Sequence, residues 1–151
     1  MSKLTSLLLL LLAGPLAPAE LSSSQDPCKA IYPMRIYQIA LREYGMASYY
    51  ARYFHKRRTA SGARFDINGE TCASLTWALG TRLEVQRLSE QGNVLSITCT
   101  VTDRGPYASD QGVPRILDLS EKQARLLQLK QPGKALVCVR PLPKLIKGRF
   151  L

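Results

Sequence analysis

Asp103 is the residue in this sequence whose position most favours proton-transfer chemistry. It follows a segment, Leu95 to Thr102, in which apolar and polar residues alternate, and it falls on the apolar side just before Gly105-Pro106 ends the pattern. A carboxyl group beside apolar side chains can keep its proton at neutral pH, act as a general acid, and then act as a general base. The alternative is that Asp103 only accepts backbone hydrogen bonds in a tight turn, or pairs with Arg104.

The four cysteines form the second chemically distinctive set: Cys28, Cys72, Cys99 and Cys138. They are even in number, widely spaced and without a CxxC pair, so disulfides are favoured over a metal site in an exported chain. Three pairings are possible. We expect Cys72 with Cys99 and Cys28 with Cys138, because the second bond ties the start of the domain to its last strand; free buried cysteines are the alternative.

Residues 1–19 have the pattern of a secretory signal peptide. Lys3 precedes the leucine run Leu7–Leu12, and Ala17-Pro18-Ala19 forms a small-residue cleavage site before Glu20. The apolar stretch is shorter than the roughly 20 residues of a membrane-spanning helix. The sequence therefore predicts export to the periplasm, the wall or the medium after cleavage at Ala19, with no permanent membrane anchor.

One domain is expected after the signal peptide. We predict a lead segment over residues 20–44 with a possible short helix from Ile36 to Tyr44, a folded domain over 45–140, and a basic tail over 141–151. The formal net charge of +10 predicts attraction to polyanions, and outside the cytoplasm these are mainly anionic polysaccharides. A solvated basic face without a ligand is the alternative.

The elements that must position Asp103 are predicted to be mostly short strands. Strands are expected over Met46–Tyr53, Cys72–Leu75, 81–88, 95–102, 116–117 and 135–139, and Ser120 is expected to cap a helix that buries Ala124, Leu126 and Leu127. Strands joined by hairpins with one short helix favour a small closed barrel. Periodicity alone does not say which barrel.

Five motifs, in matching order and spacing, give the chain a specific resemblance. They are GMASYY at 45–50, FHKRRTASG at 54–62, LGTRL at 79–83, TDRGPY at 102–107 and RILDLS at 115–120. They resemble the motifs of the rare lipoprotein A (RlpA) family. The resemblance runs from Gly45 to Val139, and it implies a mainly β fold, a disulfide-braced six-stranded double-psi β-barrel with one or two short helices.

The resemblance also implies an activity. Family members cleave the bond between MurNAc and GlcNAc in peptidoglycan without water, leaving a 1,6-anhydro end, and Asp103 matches the family's essential aspartate. One residue can protonate the glycosidic oxygen and then deprotonate the C6 hydroxyl of the sugar. The predicted substrate is therefore peptidoglycan or another anionic polysaccharide. No cofactor, metal or nucleic acid is expected, and the protein is expected to be a monomer.

Two positions depart from the family pattern. The family's glutamate after Thr-Ala-Ser-Gly is Ala63 here, and its histidine is Ser74. A related barrel, that of the murein transglycosylase A family, works with a single aspartate, so Asp103 alone can suffice, with Asp66 or Glu70 as possible auxiliary carboxylates. The alternative function is a non-catalytic polysaccharide-binding or expansin-like wall-loosening domain. A secreted module that binds a protein or polyanion through its basic face is a third class.

Six further residues are predicted to bind substrate: Tyr49, Tyr50, Arg57, Arg58, Arg104 and Arg115. Tyrosine rings can stack on sugar rings, although strand alternation would place some of them in the core. Guanidinium groups can pair with the carboxylates of muropeptides in a bidentate manner. His55 matches a family loop position without a catalytic role, and Asp118 is expected to be structural because it precedes the helix cap.

Overall fold

Strands dominate the part of the chain that the computed structural model describes, namely Cys28, residues 42–107, 112–129 and 133–143, and the backbone of 145–146 and 149–150. The strands are β1 (Glu43–Tyr49), β2 (Thr71–Ala73), β3 (Arg82–Leu88), β4 (Val94–Asp103), β5 (Arg115–Leu119), β6 (Ala135–Pro141), β7 (Leu145–Ile146) and β8 (Arg149–Phe150). A 3-10 helix spans Arg52–Phe54, and helix α1 spans Glu121–Leu126.

Strands β1 to β6 close into a barrel in the order β1-β5-β2-β4-β3-β6. Two neighbouring pairs, β1 with β5 and β2 with β4, are parallel, and the other four pairs are antiparallel. Because β6 pairs with both β3 and β1, the six-stranded sheet has no free edge. The predicted mainly β, six-stranded barrel is confirmed.

Each parallel pair contains one irregularity of register. In the pair of β1 with β5, Met46 is opposite Arg115 and Ala47 is opposite Leu117, so β5 has one extra residue. In the pair of β2 with β4 the same shift falls immediately before Asp103, which is opposite Ala73. Such bulges bend a strand and redirect its side chains. Both lie beside residues predicted to form the site, Asp103 and Arg115.

The interior of the barrel follows the alternation in the sequence. Leu83, Val85, Val101, Leu117, Leu119, Val137 and Val139 are fully buried. Each such side chain contributes about 1.5–3 kcal/mol by leaving water.

Helix α1 covers one side of this core. Ser120 caps it as predicted, its hydroxyl accepting a hydrogen bond from the backbone N–H of Gln123 at 3.3 Å, and Ala124 and Leu127 are buried as predicted. The prediction for Leu126 is wrong, since it is 55% exposed. Positions 120, 123, 124 and 127 share one helical face, and Leu126 lies outside it.

Both expected disulfides are confirmed. Cys28 bonds to Cys138 and Cys72 bonds to Cys99, with Cα–Cα distances of 5.3 and 5.8 Å. The first bond fixes Cys28 to strand β6. The second joins β2 to β4, the strand that ends at Asp103.

The beginning of the barrel differs from the prediction. Residues 36–41 of the expected helix lie outside the described part, but Glu43 and Tyr44 belong to strand β1, which ends at Tyr49 rather than Tyr53. Gly45 lies inside this strand because the neighbouring chain passes close: a Cβ there would be 2.6 Å from the carbonyl oxygen of Pro114. In the predicted basic tail, β7 and β8 form a two-stranded antiparallel sheet.

The two disulfides close loops of different length, which gives a matched comparison. Their sequence separations are 110 and 27 residues. Loop-closure entropy predicts that replacing Cys28 and Cys138 by alanine lowers the free energy of unfolding by about 5 kcal/mol, and replacing Cys72 and Cys99 by about 3.5 kcal/mol. Urea denaturation of the two double variants measures this. A larger loss for the Cys72–Cys99 pair would contradict the prediction.

Candidate active site

A cleft of about 690 Å³ lies where three strands of the barrel end or begin. Its walls come from residues 49–58 after β1, residues 103–107 after β4, and Arg115 and Asp118 of β5. Seven of the residues predicted from the sequence line it together: Asp103, Tyr49, Tyr50, Arg57, Arg58, Arg104 and Arg115.

The Asp103 carboxylate is held by three hydrogen-bond donors from three parts of the chain. Its Oδ1 accepts bonds from the backbone N–H of Ala60 at 2.8 Å and of Arg104 at 2.9 Å. Its Oδ2 accepts one bond, from the hydroxyl of Tyr50 at 2.9 Å. The side chain is half-buried and reaches the cleft. Oδ2 therefore keeps free acceptor capacity, whereas Oδ1 has both of its acceptor sites occupied.

A tight hairpin brings Ala60 to Asp103. The backbone of Thr59 donates to the carbonyl of Ala63 at 2.8 Å, and Gly62, at φ +84°, donates back to Thr59 at 2.9 Å. The N–H of Ser61 then bonds to the carbonyl of Thr102 on β4 at 2.9 Å. These bonds fix the hairpin on the end of β4, so that Ala60 contributes its backbone to the site.

Tyr50 is fixed as a neutral donor. Its ring contacts those of Phe65 and Phe54, with centroid distances of 4.7 and 5.4 Å. Burial, the hydrogen bond to Asp103 and the nearby carboxylates of Asp103 and Asp118 raise the pKa of Tyr50 well above its ordinary value. Tyr50 therefore keeps its proton across the physiological range and donates a hydrogen bond to Oδ2 of Asp103.

Ser74, at the position of the family's histidine, supports the back of the site. It is fully buried, and its backbone N–H donates to the Asp103 carbonyl at 3.2 Å. Its hydroxyl accepts bonds from the backbone of Thr76 and Trp77, while its carbonyl accepts a bond from Arg104 Nη1 at 3.0 Å. This residue holds a turn together and presents no titratable group.

The arginines of the cleft have different contacts, namely a carboxylate, backbone carbonyls or aromatic rings. Arg115 pairs with Asp118 at 2.7 Å. Arg104 Nη1 donates to the carbonyls of Ser74 and Trp77, at 3.0 and 2.7 Å. Arg57 lies over the ring of Tyr53 at 5.2 Å and over that of Phe54 at 5.6 Å.

Arg58 contacts the Gly62 carbonyl at 3.4 Å. Among the described residues, no carboxylate forms an ion pair with Arg57, Arg58 or Arg104. The cleft is therefore positively charged beside Asp103.

Two cleft residues with polar side chains, Asp118 and Tyr107, were not among the predicted catalytic and substrate-binding residues. Asp118 is a second carboxylate, but it is bound by Arg115 and by the hydroxyl of Ser48. Tyr107 is 81% exposed and lines the cleft beside Gly105 and Pro106. The Gly105-Pro106 break marks the end of β4 in the sequence, but it does not indicate which of the following side chains lines the cleft.

The auxiliary carboxylates suggested by the sequence do not line the cleft. Asp66 accepts a bond from the backbone of Asn68 at 2.9 Å and lies 3.9 Å from His55. Glu70 lies 3.4 Å from Lys122, on helix α1. Within the described ranges, histidine, cysteine and carboxylate side chains form no group of three that could hold a metal.

The closed six-stranded barrel is a double-psi β-barrel. The profile of the family described as "Lytic transglycolase" matches residues 42–139. The chain belongs to this RlpA-like family, as its five motifs predicted.

Curated relatives include an endolytic peptidoglycan transglycosylase RlpA of Pseudomonas aeruginosa, 38% identical over 74% of this chain and 30% of its own. A Rickettsia felis protein of the same name is 36% identical over 67% of this chain and 42% of its own. A probable one from Synechocystis is 39% identical over 59% and 26%. The chain thus spans less than half the length of each of these relatives.

A solved structure with the same fold is the Streptomyces papain inhibitor. It superposes with a TM-score of 0.50, covering 68% of this chain and 94% of that one, at 21% identity. At this identity the likeness concerns the barrel fold alone. None of the described helices is long and apolar enough to cross a membrane.

The raised pKa of Tyr50 predicts a pH-dependent stability. A tyrosine whose pKa is higher in the folded state than in the unfolded state stabilises the folded protein at every pH below the unfolded-state pKa of about 10. This stabilisation is lost as the pH rises above about 10, because the unfolded state then releases its proton more readily. We therefore expect the free energy of unfolding to fall more steeply above about pH 10 in wild type than in Tyr50→Phe. Urea denaturation at a series of pH values measures it, with Tyr53→Phe, at an exposed ring, as the control. Parallel curves for wild type and Tyr50→Phe would contradict the assignment.

Proposed function

We propose that the protein cleaves glycan strands of peptidoglycan by lytic transglycosylation, with Asp103 as the acid and then the base. The observation that carries the proposal is that three hydrogen bonds orient the Asp103 carboxylate in the cleft. Two backbone donors fix Oδ1, so the carboxyl plane cannot rotate freely, and Oδ2 is left to exchange a proton with substrate. The names of the relatives support the reaction type.

The proposed reaction balances with one carboxyl group. Protonated Oδ2 gives its proton to the glycosidic oxygen as the bond from this oxygen to C1 of MurNAc breaks. The resulting carboxylate then takes the proton of the C6 hydroxyl while that oxygen bonds to C1, forming the 1,6-anhydro ring. Asp103 ends the cycle protonated, as it began, and no water is consumed.

Tyr50 is proposed to position Asp103 and to stabilise its base form. Its hydroxyl donates to Oδ2, and such a bond favours the carboxylate that exists between the two proton transfers. Since the pKa of Tyr50 is raised, the hydroxyl serves as a donor and does not compete as a base. Asp118 is proposed to have no proton-transfer role, because Arg115 and Ser48 already bind its Oδ1.

Substrate is proposed to bind through charge and aromatic contact. Arg57, Arg58 and Arg104 provide positive charge for the lactyl and stem-peptide carboxylates of peptidoglycan. Tyr49 and the exposed ring of Tyr107 provide faces for sugar rings. The secretory pattern at residues 1–19 and the two disulfides support export as the route to this substrate.

The second candidate is a barrel that binds glycan without cutting it. Ala63 and Ser74 favour it, because neither offers a titratable group where the family has glutamate and histidine. The three donors around Asp103 also suit a carboxylate with a purely structural role. The two candidates differ in whether anhydro products form.

The test is incubation with purified sacculi and mass spectrometry of the soluble products. We expect wild type to release anhydro-muropeptides and Asp103→Asn to release them at least about 100-fold more slowly, since a general acid–base residue contributes about 10²–10⁴-fold. Asp66→Asn, which removes a carboxylate outside the cleft, is the matched control and should keep wild-type activity. Products from Asp103→Asn at the wild-type rate would refute the role of Asp103, and no products from any protein would favour the binder.

The charge of the cleft gives a separate prediction about affinity. The double variant Arg57→Gln/Arg58→Gln should bind MurNAc-containing oligosaccharides several-fold more weakly at low salt, because carboxylate partners are lost. Binding of the uncharged GlcNAc tetramer should change less than two-fold. Isothermal titration calorimetry with both ligands measures this difference. Equal losses for both ligands would show that these arginines do not recognise charge.

A further inference from the structure

A second, smaller depression shares Tyr49 with the cleft as a lining residue. It has a volume of about 330 Å³ and is lined by Tyr49, Arg52, Glu121, Ala124, Arg125 and Leu129. Because Tyr49 lines both cavities, the depression lies next to the cleft at this residue. Its walls come from the 3-10 helix, from α1 and from the residues that follow α1.

The position of the shared ring is set by a close approach of the chain. Gly133 has φ +80°, and a Cβ at this residue would lie 2.8 Å from Cε1 of Tyr49. The Tyr49 ring thus packs directly against the backbone of Gly133, and a side chain at position 133 would collide with the ring. Because the backbone limits its movement on that side, Tyr49 forms a fixed boundary between the two cavities.

The polar wall of the depression is the bidentate ion pair of Arg52 and Glu121. Arg52 Nε donates to Glu121 Oε2 at 2.9 Å, and Arg52 Nη2 donates to Glu121 Oε1 at 2.7 Å. These hydrogen bonds lower the pKa of Glu121, so it is charged at neutral pH. Arg125 Nη1 lies 3.6 Å from the same carboxylate. Two cations share one anion, which leaves the wall net positive.

This combination suits a sugar ring. Tyr49 and Leu129 offer apolar surface for the C–H face of a pyranose, and the Arg52 side chain, which is 76% exposed, keeps unused N–H groups for hydroxyl or carboxylate oxygens. We propose that the depression is an additional subsite for the glycan strand, occupied by a sugar beyond those held in the cleft. This inference rests on the proposed function and adds the direction in which the strand leaves the cleft.

The competing explanation is that the pair of Arg52 and Glu121 only ties the 3-10 helix to α1. A tie affects folding stability and has no reason to distinguish ligands by length. A subsite contributes to binding only when the ligand is long enough to reach it. The dependence of affinity on chain length therefore separates the two explanations.

The experiment measures the affinity of peptidoglycan-derived glycan oligomers of two, four and six sugars by calorimetry. Asp103→Asn serves as the background so that no oligomer is cut. Arg52→Ala should weaken binding of the hexasaccharide at least about five-fold and change that of the disaccharide less than two-fold. Arg125→Ala should act in the same direction and provides a second variant that leaves the pair of Arg52 and Glu121 in place. Arg82→Ala removes the same charge from an exposed position on β3, outside both cavities, and should change neither affinity.

Thermal unfolding of each variant identifies any loss of fold. Equal effects on short and long oligomers, or no effect on either, would overturn the subsite while leaving the cleft as a glycan site. Absence of binding by every oligomer to the Asp103→Asn protein would overturn the proposed function and the subsite together.

Discussion

The three hydrogen bonds to the Asp103 carboxylate are the constraint on which the site depends. Their donors come from the hairpin at Ala60, from the residue after β4, and from Tyr50 after β1. Tyr50 and Ala60 are far from Asp103 in sequence, and β1 and β4 are not neighbours in the barrel, so these two donors reach the carboxylate only in the closed barrel, whereas Arg104 is next to Asp103 in the chain. Closure of the barrel therefore also assembles the site.

The irregular register of the two parallel pairs explains where this assembly occurs. Each pair contains one shift, and the residues beside the two shifts, Asp103 and Arg115, both line the cleft. The Cys72–Cys99 bond joins β2 and β4 near one of these shifts. Fully buried aliphatic side chains of the same strands, Val101 of β4 and Leu117 and Leu119 of β5, anchor these segments in the core. The two register shifts beside the cleft therefore lie next to a regularly packed core.

The sequence predicted what depends on alternation and on motifs. The six-stranded barrel and the seven cleft residues follow from them, and both disulfides were expected from the number and spacing of the cysteines. It did not predict the entry of Glu43 into β1, since that depends on pairing with Val139 of β6, which is far away in sequence. Nor did it predict Tyr107, Asp118 or the pairing of Arg52 with Glu121, which bring together residues far apart in sequence. The prediction for Leu126 was wrong because this residue lies off the helical face that Gln123, Ala124 and Leu127 bury.

With alanine at position 63 and serine at 74, Asp103 is the one cleft carboxylate without an ion pair among the described residues, so the proposed chemistry depends on how a glycan contacts its Oδ2. A crystal structure of Asp103→Asn with a bound glycan tetramer tests this most directly. We expect the glycosidic oxygen within about 3.2 Å of the side-chain nitrogen that replaces Oδ2, a hydrogen-bond distance. A glycan bound in the cleft with every glycosidic oxygen farther than that from residue 103, or bound outside the cleft, would contradict the account.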